Sequence, residues 1–157
     1  MNQVEGFQRC GASSELSLPF ATESSWVTGK WEKLRKYLLL STENLEGDFN
    51  VGVGQALLAL SEERFDGFSA IVNQLRQNTA SGLSATNTSS LQGCHEALLK
   101  FHVLTEIEMI SDERNVDKAE RSSLRTSLDL RLDELGPFLS DKQYILGIRR
   151  AVMQLSK

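Results

Sequence analysis

The residues with the strongest potential for chemistry are one cysteine and two histidines in a single stretch of the chain. Cys94, His95 and His102 have side chains that bind zinc or form a thiol–imidazole nucleophile pair. On a helix, His95 and His102 share one face and Cys94 lies about 100° away from it. Three ligands without a second pair make a poor zinc site, so we expect no metal here. His102 is predicted to lie at the edge of the core and His95 to be exposed.

The carboxylates and arginines of the chain are the next candidates. Glu106 and Glu108 are two positions apart and would point to different sides of a helix, which does not support a paired acid–base site. Arg149 and Arg150 are adjacent and suit contact with a phosphate or an acidic partner, but surface arginines are more typically solvated or salt-bridged. The sequence therefore predicts no catalytic residue.

The stretch Gly52-Val53-Gly54 is the nearest approach to a phosphate-binding loop. It lacks the third glycine and the lysine of such loops, and it falls inside a helical pattern. Small residues at this place would instead let two helices cross closely. No cofactor is therefore expected within this chain, and its glycines are assigned to packing.

Composition restricts the class of protein. The chain has 157 residues, of which 40% are hydrophobic and 24% charged, with a net charge of -4. Neither half is basic, so direct nucleic-acid binding is not expected. Two cysteines, Cys10 and Cys94, give no disulfide framework and favour a reducing, intracellular setting. The longest apolar run, Ala56–Leu60, is too short to span a membrane.

Hydrophobic periodicity predicts an all-α fold, since no segment alternates as a strand does. Residues 1–18 are predicted to be poorly ordered, and 19–157 to form a helical-repeat segment with a flexible linker at about 78–90. Asp48 is the predicted N-cap of the third helix, and Ser140-x-x-Gln143 predicts a capping box for the last. The predicted helices cover residues 20–28, 30–41, 49–62, 63–77, 91–111, 120–135 and 141–156.

Two stretches 34 residues apart share one pattern, which is the period of tetratricopeptide repeats. A turn residue precedes three large apolar residues at helical spacing, namely Gly29, Trp31, Leu34 and Leu38 in the first stretch and Glu63, Phe65, Phe68 and Val72 in the second. The pattern predicts antiparallel helix pairs stacked as a tetratricopeptide-like α-solenoid segment. The residues expected to pack in its core are Trp26, Trp31, Leu34, Phe65 and Phe68.

Four motifs in order resemble the FAT domain of the phosphatidylinositol 3-kinase-related serine/threonine kinases. The first resembles its SW-x-x-G-x-W-x-x-L…YL signature, and the others its LSA, LH-x-L-x-E-[LI]-E and LRRALL-x-L runs. In this chain they are Glu23–Leu34 with Tyr37-Leu38, Leu83–Ala85, His102–Glu108, and Ile148–Val152 with Leu155. Their order and spacing resemble the ATR-like checkpoint branch, including its fungal UvsB-type members. Phe101 departs from the pattern, because leucine is usual there.

The resemblance implies a non-catalytic helical collar within a long nuclear kinase that responds to DNA damage. ATP and magnesium would bind only in the kinase domain of that parent. The implied partners are the remainder of the parent, including its kinase domain, a second copy in a homodimer, and a checkpoint partner subunit. No catalytic residue is carried over to this chain, which would be a piece of that scaffold.

Two other interpretations stay open at the level of sequence. A free-standing tetratricopeptide-like adaptor would bind a peptide in a concave groove and would fold alone. A small helical enzyme or metal protein would use Cys94, His95 and His102.

Overall fold

A computed structural model describes residues 18–40, 47–85, 90–112 and 118–155, and over these ranges the chain is helical without any strand. The seven helices are α1 (18–27), α2 (Trp31–Leu40), α3 (Phe49–Ser61), α4 (Phe65–Ala85), α5 (Leu91–Asp112), α6 (Lys118–Glu134) and α7 (Leu139–Leu155). The all-α prediction is confirmed. None of these helices is long and apolar enough to cross a membrane.

The linker predicted at about 78–90 is wrong over its first eight residues, because α4 continues to Ala85. Serine and threonine here do not interrupt the helix. Thr79 Oγ1 donates to the Leu75 carbonyl at 2.8 Å and Ser84 Oγ to the Ala80 carbonyl at 3.1 Å, so their hydroxyls are satisfied one turn back. Residues 86–89 and 1–17, where a linker and poor order were predicted, lie outside the described residues.

Helix α3 is the centre of the core. From Val51 to Leu60 every residue except Gln55 is buried, and the helix packs against α2, α4 and α7. Its N-cap is Asp48, as predicted, with the carboxylate accepting from the Val51 amide at 3.0 Å. The two predicted close-packing glycines are confirmed. A Cβ on Gly54 would lie 2.6 Å from Thr22 Cγ2 on α1, and one on Gly52 would overlap the Leu75 side chain on α4.

The turns of the two predicted 34-residue repeats are closed by the same hydrogen bonds. Gly29 and Glu63 both adopt left-handed backbone conformations, with φ of 68° and 57°. In each turn the next amide reaches back five residues to a carbonyl, which is the Schellman pattern of a helix end. The bonds are Lys30 N to Ser25 O at 2.8 Å and Arg64 N to Ala59 O at 2.9 Å. The two turns therefore share one backbone geometry, with glutamate in the second where glycine stands in the first.

Replacing Glu63 with glycine is expected to stabilise the fold by about 0.5–1 kcal/mol. A left-handed conformation costs a residue with a Cβ about 1–2 kcal/mol, and the entropy of glycine in the unfolded chain offsets part of that gain. The reverse change at the matching turn, Gly29→Ala, should destabilise. Urea denaturation of both variants measures the two effects. A destabilised Glu63→Gly would contradict the assignment of strain to this turn.

The core residues predicted from the repeat are only partly correct. Trp26 and Leu34 are fully buried and Phe68 is 5% exposed, as predicted. Trp31 is half-buried, and Phe65 is 50% exposed, so its assignment to the core is wrong. Trp31 and Phe65 are the first residues of α2 and α4 and therefore lie at the rim of their helix pairs.

The later helices pack on one another through α5. Helix α4 lies against α5, which in turn contacts α6 and α7. Helix α7 also returns to α3 and α1, because the Tyr144 hydroxyl donates to Asn50 Oδ1 at 2.6 Å and its ring meets the Trp26 ring edge-on at 6.0 Å. The predicted capping box is wrong, since α7 begins at Leu139 and Ser140 lies inside its first turn.

Candidate functional site

A buried ion pair joins the last three helices. Glu106 of α5 is fully buried, and the Arg149 side chain of α7 is 7% exposed. The guanidinium holds the carboxylate with two bonds, Nε to Oε2 at 2.7 Å and Nη2 to Oε1 at 2.9 Å. Arg149 Nη2 also donates to the Leu128 carbonyl on α6. One side chain therefore connects α5, α6 and α7.

The two charged groups are occupied by each other, so few of their hydrogen-bonding atoms are available to a substrate. Both carboxylate oxygens of Glu106 accept from Arg149, so the group is not poised as a general base. The remaining nitrogen of Arg149, Nη1, lies 3.6 Å from Asp129 Oδ1. Arg149 was expected to be solvated or salt-bridged, and it is salt-bridged but buried.

The two glutamates predicted to diverge do so. Glu108 lies on the other side of α5 and pairs with Arg76 of α4, with Arg76 Nη1 2.9 Å from its Oε1. Arg76 also donates to Thr105 Oγ1 at 3.4 Å. Helix α5 therefore uses one carboxylate toward α4 and another toward α7. No paired-carboxylate site forms from these two residues.

His102 lies at the edge of the core, as predicted, and is 9% exposed. Its Nδ1 is 3.2 Å from Arg131 Nη2 on α6, a geometry in which neutral imidazole accepts from the guanidinium. Burial lowers the pKa of His102 below 6.5, and the Arg131 charge lowers it further, against an opposing influence of Glu134 and Glu106. The folded protein therefore favours the neutral ring.

The lowered pKa of His102 predicts a loss of stability in mild acid. Between the folded pKa and the unfolded value of 6.5, the unfolded chain binds more protons, so the free energy of unfolding falls as the pH drops through that window. His102→Gln should show a smaller decrease as the pH falls from about 7 to below 6.5. Chemical denaturation at several pH values measures both curves. Parallel curves would contradict a neutral His102.

Cys94, His95 and His102 make separate contacts. Cys94 is exposed, while His95 Nε2 bonds Asp141 Oδ2 at 2.7 Å and its ring packs on Phe138 at 4.8 Å. His95 was expected to be exposed, but it is half-buried by these contacts with α7 and the turn before it. The part of the chain that the structure describes holds no group of three potential metal ligands. Cys10 lies outside it.

An acidic groove of about 560 Å³ opens between α1, α3, α5 and α7. Beside the Tyr144–Asn50 bond, Asn50 Nδ2 donates to Glu23 Oε2 at 3.4 Å. Burial raises the pKa of Glu23 and, more strongly, that of the Tyr144 hydroxyl, so the phenol stays protonated as a donor. The Asp48 carboxylate in this wall already caps α3. The network ties three helices together and offers no activated nucleophile.

Two comparisons with known proteins show what the chain is similar to. The family model described as the FAT domain matches residues 18–157. The chain is also similar to the serine/threonine-protein kinase MEC1 of Candida glabrata, with 26% identity over 159 aligned residues. That alignment covers 98% of this chain and 7% of the relative, so the chain spans a small part of the length of the kinase that it matches.

Proposed function

The chain belongs to the FAT domain family, and from this premise we propose that it is a helical scaffold segment of a DNA-damage checkpoint kinase. The FAT domain is a non-catalytic region of the phosphatidylinositol 3-kinase-related kinases. The match over residues 18–157 carries the proposal, and the similarity to a serine/threonine kinase supports it. An ATR-like parent of the fungal UvsB type, acting in the nucleus, is the form of kinase that we propose.

The role proposed for the segment is mechanical. Its antiparallel helix pairs would form part of a tetratricopeptide-like solenoid that packs against the kinase domain and supports it. The matching Schellman turns at Gly29 and Glu63 favour this arrangement. The contact of α7 with α3 differs from a simple solenoid, in which each repeat contacts only its neighbours. ATP and magnesium would bind in the kinase domain of the parent, and a second copy and a checkpoint subunit would be further partners.

The test compares two substitutions in the gene that encodes this chain. Arg149→Leu breaks the buried ion pair, whereas Lys33→Leu changes an exposed residue on α2 that lines neither of the two grooves described in this article. After DNA damage, the protein that contains this chain is immunopurified and its kinase activity is measured. We expect the activity to fall in the first variant and to persist in the second. Equal activity in both variants would contradict the proposed mechanical role, whereas no kinase activity in the unmodified protein would favour the alternative of a free-standing tetratricopeptide-like adaptor.

A further inference from the structure

A second groove, separate from the acidic one, lies between α6 and α7. These helices follow one another through the short segment 135–138, and both pack on α5 while making little direct contact with each other. The groove encloses about 790 Å³. Leu146 and Met153 on α7 are each 47% exposed along it, and Leu128 of α6 is buried at its floor. The open floor is therefore apolar and runs between two helices.

The rim of this groove carries positive charge. Arg121 and Arg125 on α6 and Arg150 on α7 line it and are exposed. On α6 the lining positions 121, 124, 125 and 128 follow the helical repeat, so arginine and leucine share one face. Among the described residues none of these three guanidinium groups forms a salt bridge, and Asp129, the acidic residue of the lining, lies beside Arg149. A basic rim in a chain of net charge -4 marks a distinct surface.

We propose that the α6–α7 groove binds an acidic amphipathic α-helix of a partner protein. An apolar stripe on that helix would cover Leu146 and Met153, and glutamates beside the stripe would pair with the arginines of the rim. A helix fits because the groove runs between two helices that both rest on α5 but contact each other little, which leaves room for a third helix to pack on their side chains. The charge of the rim selects an acidic partner over a neutral or basic one. This surface is independent of the kinase role proposed above.

The probe is a fluorescein-labelled synthetic helix of about 18 residues, with leucines at helical spacing and glutamates on both flanks of that stripe. Its binding to the full 157-residue chain is followed by fluorescence anisotropy. We expect saturable binding that weakens as salt is raised. The double change Arg125→Glu with Arg150→Glu should weaken binding about tenfold or more. A peptide with glutamine in place of glutamate should also bind more weakly.

The matched control reverses two exposed lysines on α2, Lys33→Glu with Lys36→Glu, which changes the net charge equally. Circular dichroism confirms that both variants keep their helices. No binding by the unmodified chain, or equal losses in both variants, overturns the proposal. Analytical ultracentrifugation tests whether a second copy of this chain occupies the groove instead. A dimer of this chain that the arginine changes dissociate, and that the peptide does not displace, would assign the groove to a second copy instead.

Discussion

Replacing Arg149 with leucine is expected to destabilise the chain by about 3–5 kcal/mol. The change leaves the Glu106 carboxylate buried in the core without the two hydrogen bonds that now satisfy it. It also removes a donor from the Leu128 carbonyl, so one hydrogen bond between α6 and α7 is lost at the same time. Urea denaturation of the purified chain, followed by circular dichroism, measures the change in the free energy of unfolding.

Two control variants separate charge from shape in this result. Arg150→Leu alters the next residue, which is exposed, and should change stability by no more than about 0.5 kcal/mol. The double change Glu106→Leu with Arg149→Leu removes both charges and should recover much of the loss, because an apolar pair needs no partner in the core. A single variant as stable as the unmodified chain would mean that the ion pair is not buried.

Replacing Trp26 with alanine is expected to cost about 3–5 kcal/mol, the usual effect of truncating a fully buried tryptophan. Its ring is completely buried on α1 and packs edge-on against Tyr144 of α7, so the change opens a cavity between the first and last helices. Trp31→Ala in the same helix pair is the matched control. Because Trp31 is only half-buried at the start of α2, it should cost less.

Thermal and chemical denaturation should therefore show a larger loss of stability in Trp26→Ala than in Trp31→Ala. The chain has two tryptophans, so each variant retains one as a fluorescence probe of its own half of the helix pair. An equal loss in both, or a larger loss in Trp31→Ala, would contradict the placement of Trp26 as the deeper residue.

Local patterns allowed most of the fold to be predicted. Helix positions followed from apolar spacing, and the Asp48 cap and the close-packing glycines followed from residue type alone. The 34-residue repeat was visible as well, but glutamate stands where a left-handed turn favours glycine. The repeat also placed Phe65 in the core, because periodicity gives the face of a residue and not its distance from the end of a helix pair.

The candidate site was harder to predict because it depends on contacts distant in sequence. Glu106 and Arg149 were both noticed, and both fall in motifs that resemble the FAT domain, but 43 residues separate them. The sequence did contain a sign of a buried ion pair, because Glu106 lies among Val103, Ile107 and Ile110 on the buried face of α5. A carboxylate in such a stripe requires a cation, and only the packing of α7 on α5 identifies which one.

The length of α4 shows that composition alone does not predict where a helix ends. Residues 78–85 have the polar, small side chains of a linker, yet their hydroxyls bond within the helix and the backbone stays regular. A composition rich in serine and threonine indicates side chains that can hydrogen-bond to the local backbone in place of a helix. It does not exclude a helix whose earlier turns are packed in the core, as those of α4 are at Phe68 and Val72.

The central claim is that this chain works as part of a much longer kinase, and its most direct test is the size of the polypeptide that contains it. An affinity tag placed within the chromosomal coding sequence of this chain allows that polypeptide to be purified, sized and analysed by mass spectrometry. We predict a polypeptide many times longer than 157 residues, with peptides from a serine/threonine kinase domain. A polypeptide no longer than this chain would contradict the claim and favour a separate helical adaptor.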